Sequence, residues 1–399
     1  MTETIDMTRA VRARNALFAV FAANGFALAS WMARVPDVKD LLQLTPGQLS
    51  VLLLSISVGA LIGLPTAGRI SSRIGAKNTV RLALAILVPG LLLAAIAVTY
   101  GGSMYLAIPG LFLLGLGNGI WDVAQNIEGT LVERGVNRAI MPWFHAAFSG
   151  GTVLGALVGA LIVALRVPIF AHMAVVAVGV TVLTLAATGP FLSAAGTSSE
   201  PDGGDGASAV RGRSAWTEPR TLLIGLMVLA AAFTEGTAND WMAVAFVEGH
   251  GIDNALGVVA LAVFLTFMTA GRIFGTVLLD RYGRVTVLRL MFVLAIVGCL
   301  LVVFAPTWLA FVGAAVWGVG ASLGFPVGMS AAGDDPARAP MRISVVSTIG
   351  YGAFLGGPVL LGFLGDHVGV LKALLVVGVV SLVALLVVPA AKEPGPATG

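Results

Sequence analysis

The feature that most limits what this chain can become is the repetition of charge-poor apolar runs long enough to cross a bilayer. A spanning helix needs roughly 20 such residues. Cut at their turn signals, the runs give twelve segments, 15–34, 47–68, 79–98, 104–127, 140–164, 168–193, 219–247, 255–279, 286–304, 307–331, 339–364 and 369–390. Of 399 residues 58% are hydrophobic and 11% charged, and the mean hydropathy is +0.97, more apolar surface than a soluble domain can hide. The chain therefore reads as an all-α integral membrane protein.

Charge placement sets the orientation. With the amino terminus inside, the inner flanks hold 19 of the 23 Lys and Arg, from Arg9, Arg12 and Arg14 to Lys392, and the outer side keeps Arg34, Lys39, Arg166 and Lys372. That bias predicts a cytoplasmic amino terminus, and an even number of spans returns the carboxyl terminus to the same side. The segment before the first span lacks a convincing small-residue cleavage site and reads as the flank of a retained helix. A net charge of +3 gives no nucleic-acid patch, and the lone Cys299 excludes an internal disulfide.

Residues 193–218, rich in Gly, Ser and acid, read as a cytoplasmic linker between bundles at 1–192 and 219–399. The two halves echo each other. Ser30-Trp31-Met32-Ala33 matches Asp240-Trp241-Met242-Ala243, Ala67-Gly68-Arg69-Ile70 matches Ala270-Gly271-Arg272-Ile273, and Gly115-Leu116-Gly117 matches Gly318-Val319-Gly320. Such a repeat predicts two related six-helix bundles with a site near the midplane.

Polar residues inside these runs mark that site. Nothing from Leu82 to Trp121 is charged, so Asp122 falls where an ionised group is expensive and marks a path for protons or substrate. Helical spacing puts Asn118, Asp122 and Gln125 on one face, with Trp121 and Gln125 a turn apart. Glu235 is a second acid, near the middle of the seventh span. Hydrocarbon disfavours the charged carboxylate, so either acid can exchange a proton near neutral pH. Asn24, Trp31, Asn118, Trp121, Gln125, Asn126, Asn239, Asp240 and Trp241 are the candidate substrate ligands, because amides bond hydroxyls and indoles stack on carbon faces. Trp31 and Trp241, near span ends, fit interface anchoring equally well, and Asp240 fits a solvated helix end. His145 and His172 read as helix-end residues. Pro326, Gly25, Gly119 and Gly236 mark places where spans can bend or break, and Tyr351 and Phe354 can gate the site.

The loop Gly68-Arg69-Ile70-Ser71-Ser72-Arg73-Ile74-Gly75 resembles the loop signature of the major facilitator superfamily, with Ser72 where the family has aspartate. Its second copy, Asp280-Arg281-Tyr282-Gly283-Arg284, keeps the acid. The resemblance implies gating roles for Arg69, Arg73, Gly75, Arg272, Asp280, Arg281, Gly283 and Arg284, with the stronger latch in the second half. Within the superfamily, GLGNGIWDVAQN is similar to the fourth-span pattern of fucose-permease-type sugar:proton symporters at Gly115, Gly117, Asp122, Ala124 and Asn126, although residues 15–33 lack that family's first-span acid. The chain more closely resembles the MosC-like group, related to the membrane protein of rhizopine gene clusters. In the fifth span, Gly151 to Ala160 approaches an antiporter signature but has Ala156 for its proline and Ala160 for its last glycine. Half of that pattern is small-residue packing, also expected of Gly352 and Gly356.

The sequence thus leads to the major facilitator fold in a bacterial inner membrane. The expected activity is proton-coupled uptake of a small sugar-like, polyol or cyclitol solute by alternating access, through a monomer whose partners are substrate, protons and lipid. Proton-coupled efflux of a drug or metabolite is the near rival, and a facilitator-like sensor that moves nothing the more distant one. No nucleophile with a base, metal set or phosphate loop suggests an enzyme, and no cofactor is expected.

Overall fold

A computed structural model describes residues 7–136, 140–192, 214–335 and 338–393. These residues are almost entirely helical: α1 (Met7–Met32), a short α2 (Val35–Leu41), α3 (Pro46–Ile96), α4 (Met104–Val136), α5 (Met141–Ala164), α6 (Ile169–Ala187), α7 (Pro219–His250), α8 (Asn254–Phe304), α9 (Thr307–Ala321), α10 (Gly324–Ala332), α11 (Ala339–Val368), α12 (Val370–Ala373) and α13 (Leu375–Val387). Among them are ten stretches long and apolar enough to cross a membrane. Two of these contain α3 and α8, each 51 residues long and broken by one non-helical glycine, Gly75 (φ 78°, ψ 156°) and Gly283 (φ 74°, ψ 162°). Divided there, the ten stretches become twelve spans. A positive φ with extended ψ is open to glycine and strained for other residues, so the two loop glycines singled out in the sequence reverse the chain at matching places in the two halves.

The chain forms two compact units, one over Met1–Leu44 and Val51–Gly206, the other over Thr45–Ser50 and Ala207–Gly399. Thr45–Ser50 joins the second unit because the Gly47 N–H donates to Asp366 at 3.1 Å and Ser50 lies against Gly362. Most of the expected linker lies outside the described residues, and its last part, Ala215–Thr217, is a 3₁₀ turn.

Glycine contacts explain the repeated motifs. In the first unit a Cβ on Gly115 would collide with the Ile56 backbone, and one on Gly90 would lie 2.7 Å from the Gly110 carbonyl. The second unit repeats this, with Gly318 against the Phe264 carbonyl and a Cβ on Gly313 only 2.9 Å from the Gly298 carbonyl. Backbones touch at these points, which supplies dispersion contacts where hydrocarbon removes the hydrophobic drive between helices. The same physics accounts for the fifth-span stripe: Gly151 and Gly155 meet the carbonyls of Ala22 and Phe26 on α1, and Gly159 meets Ala33 just beyond it. In α11 the expected close packing is at Gly350, whose Cβ would come 2.8 Å from Val228. Gly352 has only a 3.8 Å neighbour and Gly356 none within 4 Å, which corrects the expectation for that pair.

The anticipated break at Pro326 is present, since α9 ends at Ala321 and α10 begins at Gly324. Proline has no N–H to give to the carbonyl four residues earlier, which leaves that of Ser322 free. Gly25, Gly119 and Gly236 lie within unbroken helices instead: the first two are pressed against the carbonyls of Phe148 and Ala60, and Gly236 faces Phe354 at 3.8 Å.

Candidate functional site

In the first unit, α4 carries the expected polar face. Its apolar run holds the helix in hydrocarbon, and the 3.6-residue period brings Asp122, Gln125 and Asn126 together. Gln125 Nε2 donates to Asp122 Oδ1 at 3.2 Å, and Asn126 Nδ2 donates to the Asp122 carbonyl at 2.8 Å and to its Oδ1 at 3.4 Å. The hydrogen bonds Asp122 receives therefore come from neutral amides. His145 on α5, read from the sequence as a helix-end residue, acts electrostatically on Asp122 and packs T-shaped against Phe21 with ring centroids 5.5 Å apart.

Around this group several buried polar atoms have no hydrogen-bond partner among the described residues: both amide atoms of Asn24, the indole N–H groups of Trp31 and Trp121, Asn118 Oδ1 and Gln125 Oε1. Buried polar groups are paired as a rule, and this collection on α1 and α4 has hydrogen-bonding capacity that the described residues do not fill.

The second unit treats its acid differently. Arg272 Nη2 donates to Glu235 Oε2 at 2.7 Å, and Arg272 Nε donates to the Ser322 carbonyl at 3.3 Å, the group that Pro326 leaves free. Arg272, grouped with the gating residues by the loop resemblance, thus pairs with an intramembrane acid. It lies in the membrane part of α8 as the counter-charge of Glu235, and its position follows from the proline two helices later. Trp317 Nε1 donates to the Thr234 carbonyl at 3.3 Å, bracing the turn that bears Glu235. One turn on, Asn239 Oδ1 and Trp241 Nε1 are buried without a partner among the described residues, and half-buried Asp240 has no hydrogen bond or ion pair to any of them.

All four tryptophans singled out, Trp31, Trp121, Trp241 and Trp317, are fully buried, which removes the anchoring alternative for Trp31 and Trp241. Trp143, Trp216 and Trp308 are the exposed ones. Tyr351 and Phe354 pair with ring centroids 6.2 Å apart, and Cys299 is a buried thiol donating to the Leu374 carbonyl at 3.3 Å.

The loops are also unlike. In the first, Arg69 and Arg73 are exposed, and Ser72 Oγ donates to the carbonyl of Arg69 at 2.9 Å. In the second, Asp280 is exposed and makes no ion pair among the described residues, and Arg281 lies 5.3 Å over the Tyr282 ring. Arg284 pairs instead with Asp334 at 2.6 Å, and Asp334 also takes Arg220 at 2.7 Å. Beside them Glu218 binds Arg338 at 2.5 Å and Arg342 at 2.7 Å, and accepts from Thr221 at 2.9 Å. Burial alone would push the Glu218 carboxyl up, but the bonds from Arg342 and Thr221 and the two arginine charges outweigh it and hold it below its ordinary value. Sequence reading missed Asp334 and Glu218. Their signal was two acids at the ends of apolar segments otherwise flanked by arginine.

The model of the major facilitator superfamily matches residues 16–277 and 224–398. The uncharacterized transporter y4wD of Sinorhizobium fredii is 32% identical over 381 residues, covering 94% of this chain and 96% of its own. The membrane protein MosC of Rhizobium meliloti is 27% identical over 371 residues, covering 91% and 86%. Among solved structures, a mutant of the nucleoside transporter NupG superposes with a TM-score of 0.76 at 15% identity, over 94% of this chain and 98% of its own. A variant of the Escherichia coli fucose:proton symporter FucP reaches 0.59 at 16% identity, over 94% and 98%. Both resemblances read from the sequence are present in these matches, and the structural likenesses support the fold. The chain belongs to the major facilitator superfamily and is a multi-pass membrane transporter.

Proposed function

We propose that this transporter carries a small, polar, sugar-like or polyol solute into a bacterial cell together with protons, by alternating access, with Asp122 as the residue that takes and releases the proton. It works as a monomer in the cytoplasmic membrane with both termini inside, as the inner excess of Lys and Arg supports. The observation that carries the reading is the contrast between the two intramembrane acids. Protonating Glu235 would strand Arg272 without its partner, a loss of about 1 to 3 kcal/mol for a part-exposed pair. Asp122 has no lysine or arginine partner to strand among the described residues: its hydrogen bonds come from Gln125 and Asn126, and the charge that acts on it is that of His145.

The substrate class rests on the orphaned amides and indoles. Asn24, Asn118 and Gln125 in the first unit and Asn239 in the second suit hydroxyl groups, while Trp31, Trp121 and Trp241 offer apolar faces with an N–H at the rim. A nucleoside and fucose, named for two similar structures, are both hydroxylated ring compounds. The fifth-span glycines bear on export: they meet α1 and its end, which accounts for them as packing without an antiport role.

The test is purified protein in liposomes with an acid-outside gradient and a panel of labelled sugars, polyols, nucleosides and common drugs. The expected result is accumulation of a polyhydroxylated solute that collapses when the gradient is dissipated. Proton-driven movement of a drug in the opposite direction, or the absence of counterflow for every compound, would contradict the proposal.

A further inference from the structure

At the end of α1 away from the amino terminus, two basic side chains are buried with hydrogen-bonding capacity left over. Arg34, 3% exposed, stands at the N-cap of α2. Its Nη2 donates to the Val167 carbonyl at 2.7 Å and pairs with Asp37 at 3.0 Å, while Nε and Nη1 have no partner among the described residues. His172, 4% exposed, sits in the first turn of α6, and neither of its ring nitrogens has a partner there. The bond to Val167 brings the guanidinium to the segment leading into α6, and the two side chains act on each other electrostatically.

The start of α6 adds to this. Its N-cap is Pro168, which offers no side-chain acceptor, and Thr99 Oγ1 takes only the N–H of Phe170, at 3.2 Å. A helix start without a cap presents N–H groups and partial positive charge. Two guanidinium nitrogens, an imidazole N–H and this helix end all lack the same thing, a small acceptor with negative charge. The Asp37 carboxylate meets Arg34 at Nη2, while Nε and Nη1 are the guanidinium nitrogens without a partner among the described residues.

We propose that Arg34, His172 and the start of α6 form a binding site for a small monovalent anion, with chloride as the simplest occupant. The site lies between the turn that follows α1 and the start of α6, apart from the polar face of α4, and stands whether or not Asp122 is the coupling residue. Its effect is to tie the beginning of α6 to the turn that follows α1.

The test uses the full chain in nanodiscs, with sodium gluconate exchanged for sodium chloride at constant ionic strength and the unfolding midpoint followed by fluorescence. Chloride should raise the midpoint saturably, by roughly 2 to 4 °C once well above its dissociation constant. His172→Phe should weaken half-saturation about tenfold and Arg34→Gln should abolish the response. Arg166→Gln, which removes an exposed cation in the neighbouring turn, should leave it unchanged. Should Arg34→Gln not fold, equilibrium binding of radiolabelled chloride to the wild type and His172→Phe decides, with weaker binding in the variant as the supporting result. A midpoint indifferent to chloride, or an equal response or equal binding in wild type and His172→Phe, overturns the proposal and leaves the four nitrogens to buried water.

Discussion

In the first unit, Lys77 donates to the Gly189 carbonyl at 3.2 Å, Arg81 to the Thr188 hydroxyl at 3.0 Å, and the buried Glu128 accepts the Leu192 N–H at 2.5 Å. In the second unit, Arg220 and Arg284 share Asp334, and Arg338 and Arg342 share Glu218. The membrane interior repeats the pattern, with Asp122 bonded by amides and Glu235 by Arg272. The backbone frame is common to both, since Gly75 and Gly283 adopt nearly the same dihedral angles and the glycine contacts of α3 with α4 recur between α8 and α9. The repeat has kept what backbone packing requires and let the charges diverge. One intramembrane acid is held by amides and the other by a guanidinium.

The comparison can be broken at its common part first. Gly115→Leu and Gly318→Leu should each cost about 3 kcal/mol or more, because the added side chain meets backbone. Gly356→Leu, with nothing within 4 Å, should stay within about 1 kcal/mol. Thermal unfolding in detergent measures all three, and a large inequality between the first two would mean the halves do not share a packing frame.

Next comes the ion pair. Glu235→Gln and Arg272→Gln should each destabilise by about 1 to 3 kcal/mol, and the double variant should cost clearly less than their sum. Strict additivity would show that the pair contributes nothing. Smaller again, Asp334→Asn should lose about 1 to 2 kcal/mol by freeing two arginines, while Asp280→Asn stays within about 0.5 kcal/mol. The reverse ranking would restore the loop acid as the latch.

The smallest effect is one of pH. The folded-state value of Glu218 lies below its ordinary 4.5, so its contribution is complete above that pH and is lost as pH falls through the lower folded value. Acid unfolding of Glu218→Gln should therefore begin from a lower stability than wild type and converge with it at the acid end.

The spans and the repeat were legible because hydropathy, glycine spacing and the Trp31 and Trp241 echo are local signals. The polar face of α4 was legible for the same reason, since Asn118, Asp122 and Gln125 follow from helical period alone. The partner of Glu235 was not. Arg272 stands 37 residues away on another helix, inside a motif whose first copy, Arg69, is an exposed residue of α3. Two copies of one motif had acquired different tasks. His145 and His172 were read as helix ends because their helix positions are visible in sequence, whereas the charge near each is brought by packing. Asp334 was hidden likewise: Arg284 and Arg220 reach it from positions 50 and 114 residues away.

Gradient-driven accumulation and substrate counterflow, measured side by side in liposomes for Asp122→Asn and Glu235→Gln, reach the central claim most directly. Asp122→Asn should exchange substrate within about threefold of the wild-type rate yet fail to concentrate it under an acid-outside gradient, while Glu235→Gln retains uphill transport at a reduced rate. Undiminished accumulation by Asp122→Asn, with uphill transport abolished in Glu235→Gln, would place the proton on the paired acid and contradict the account.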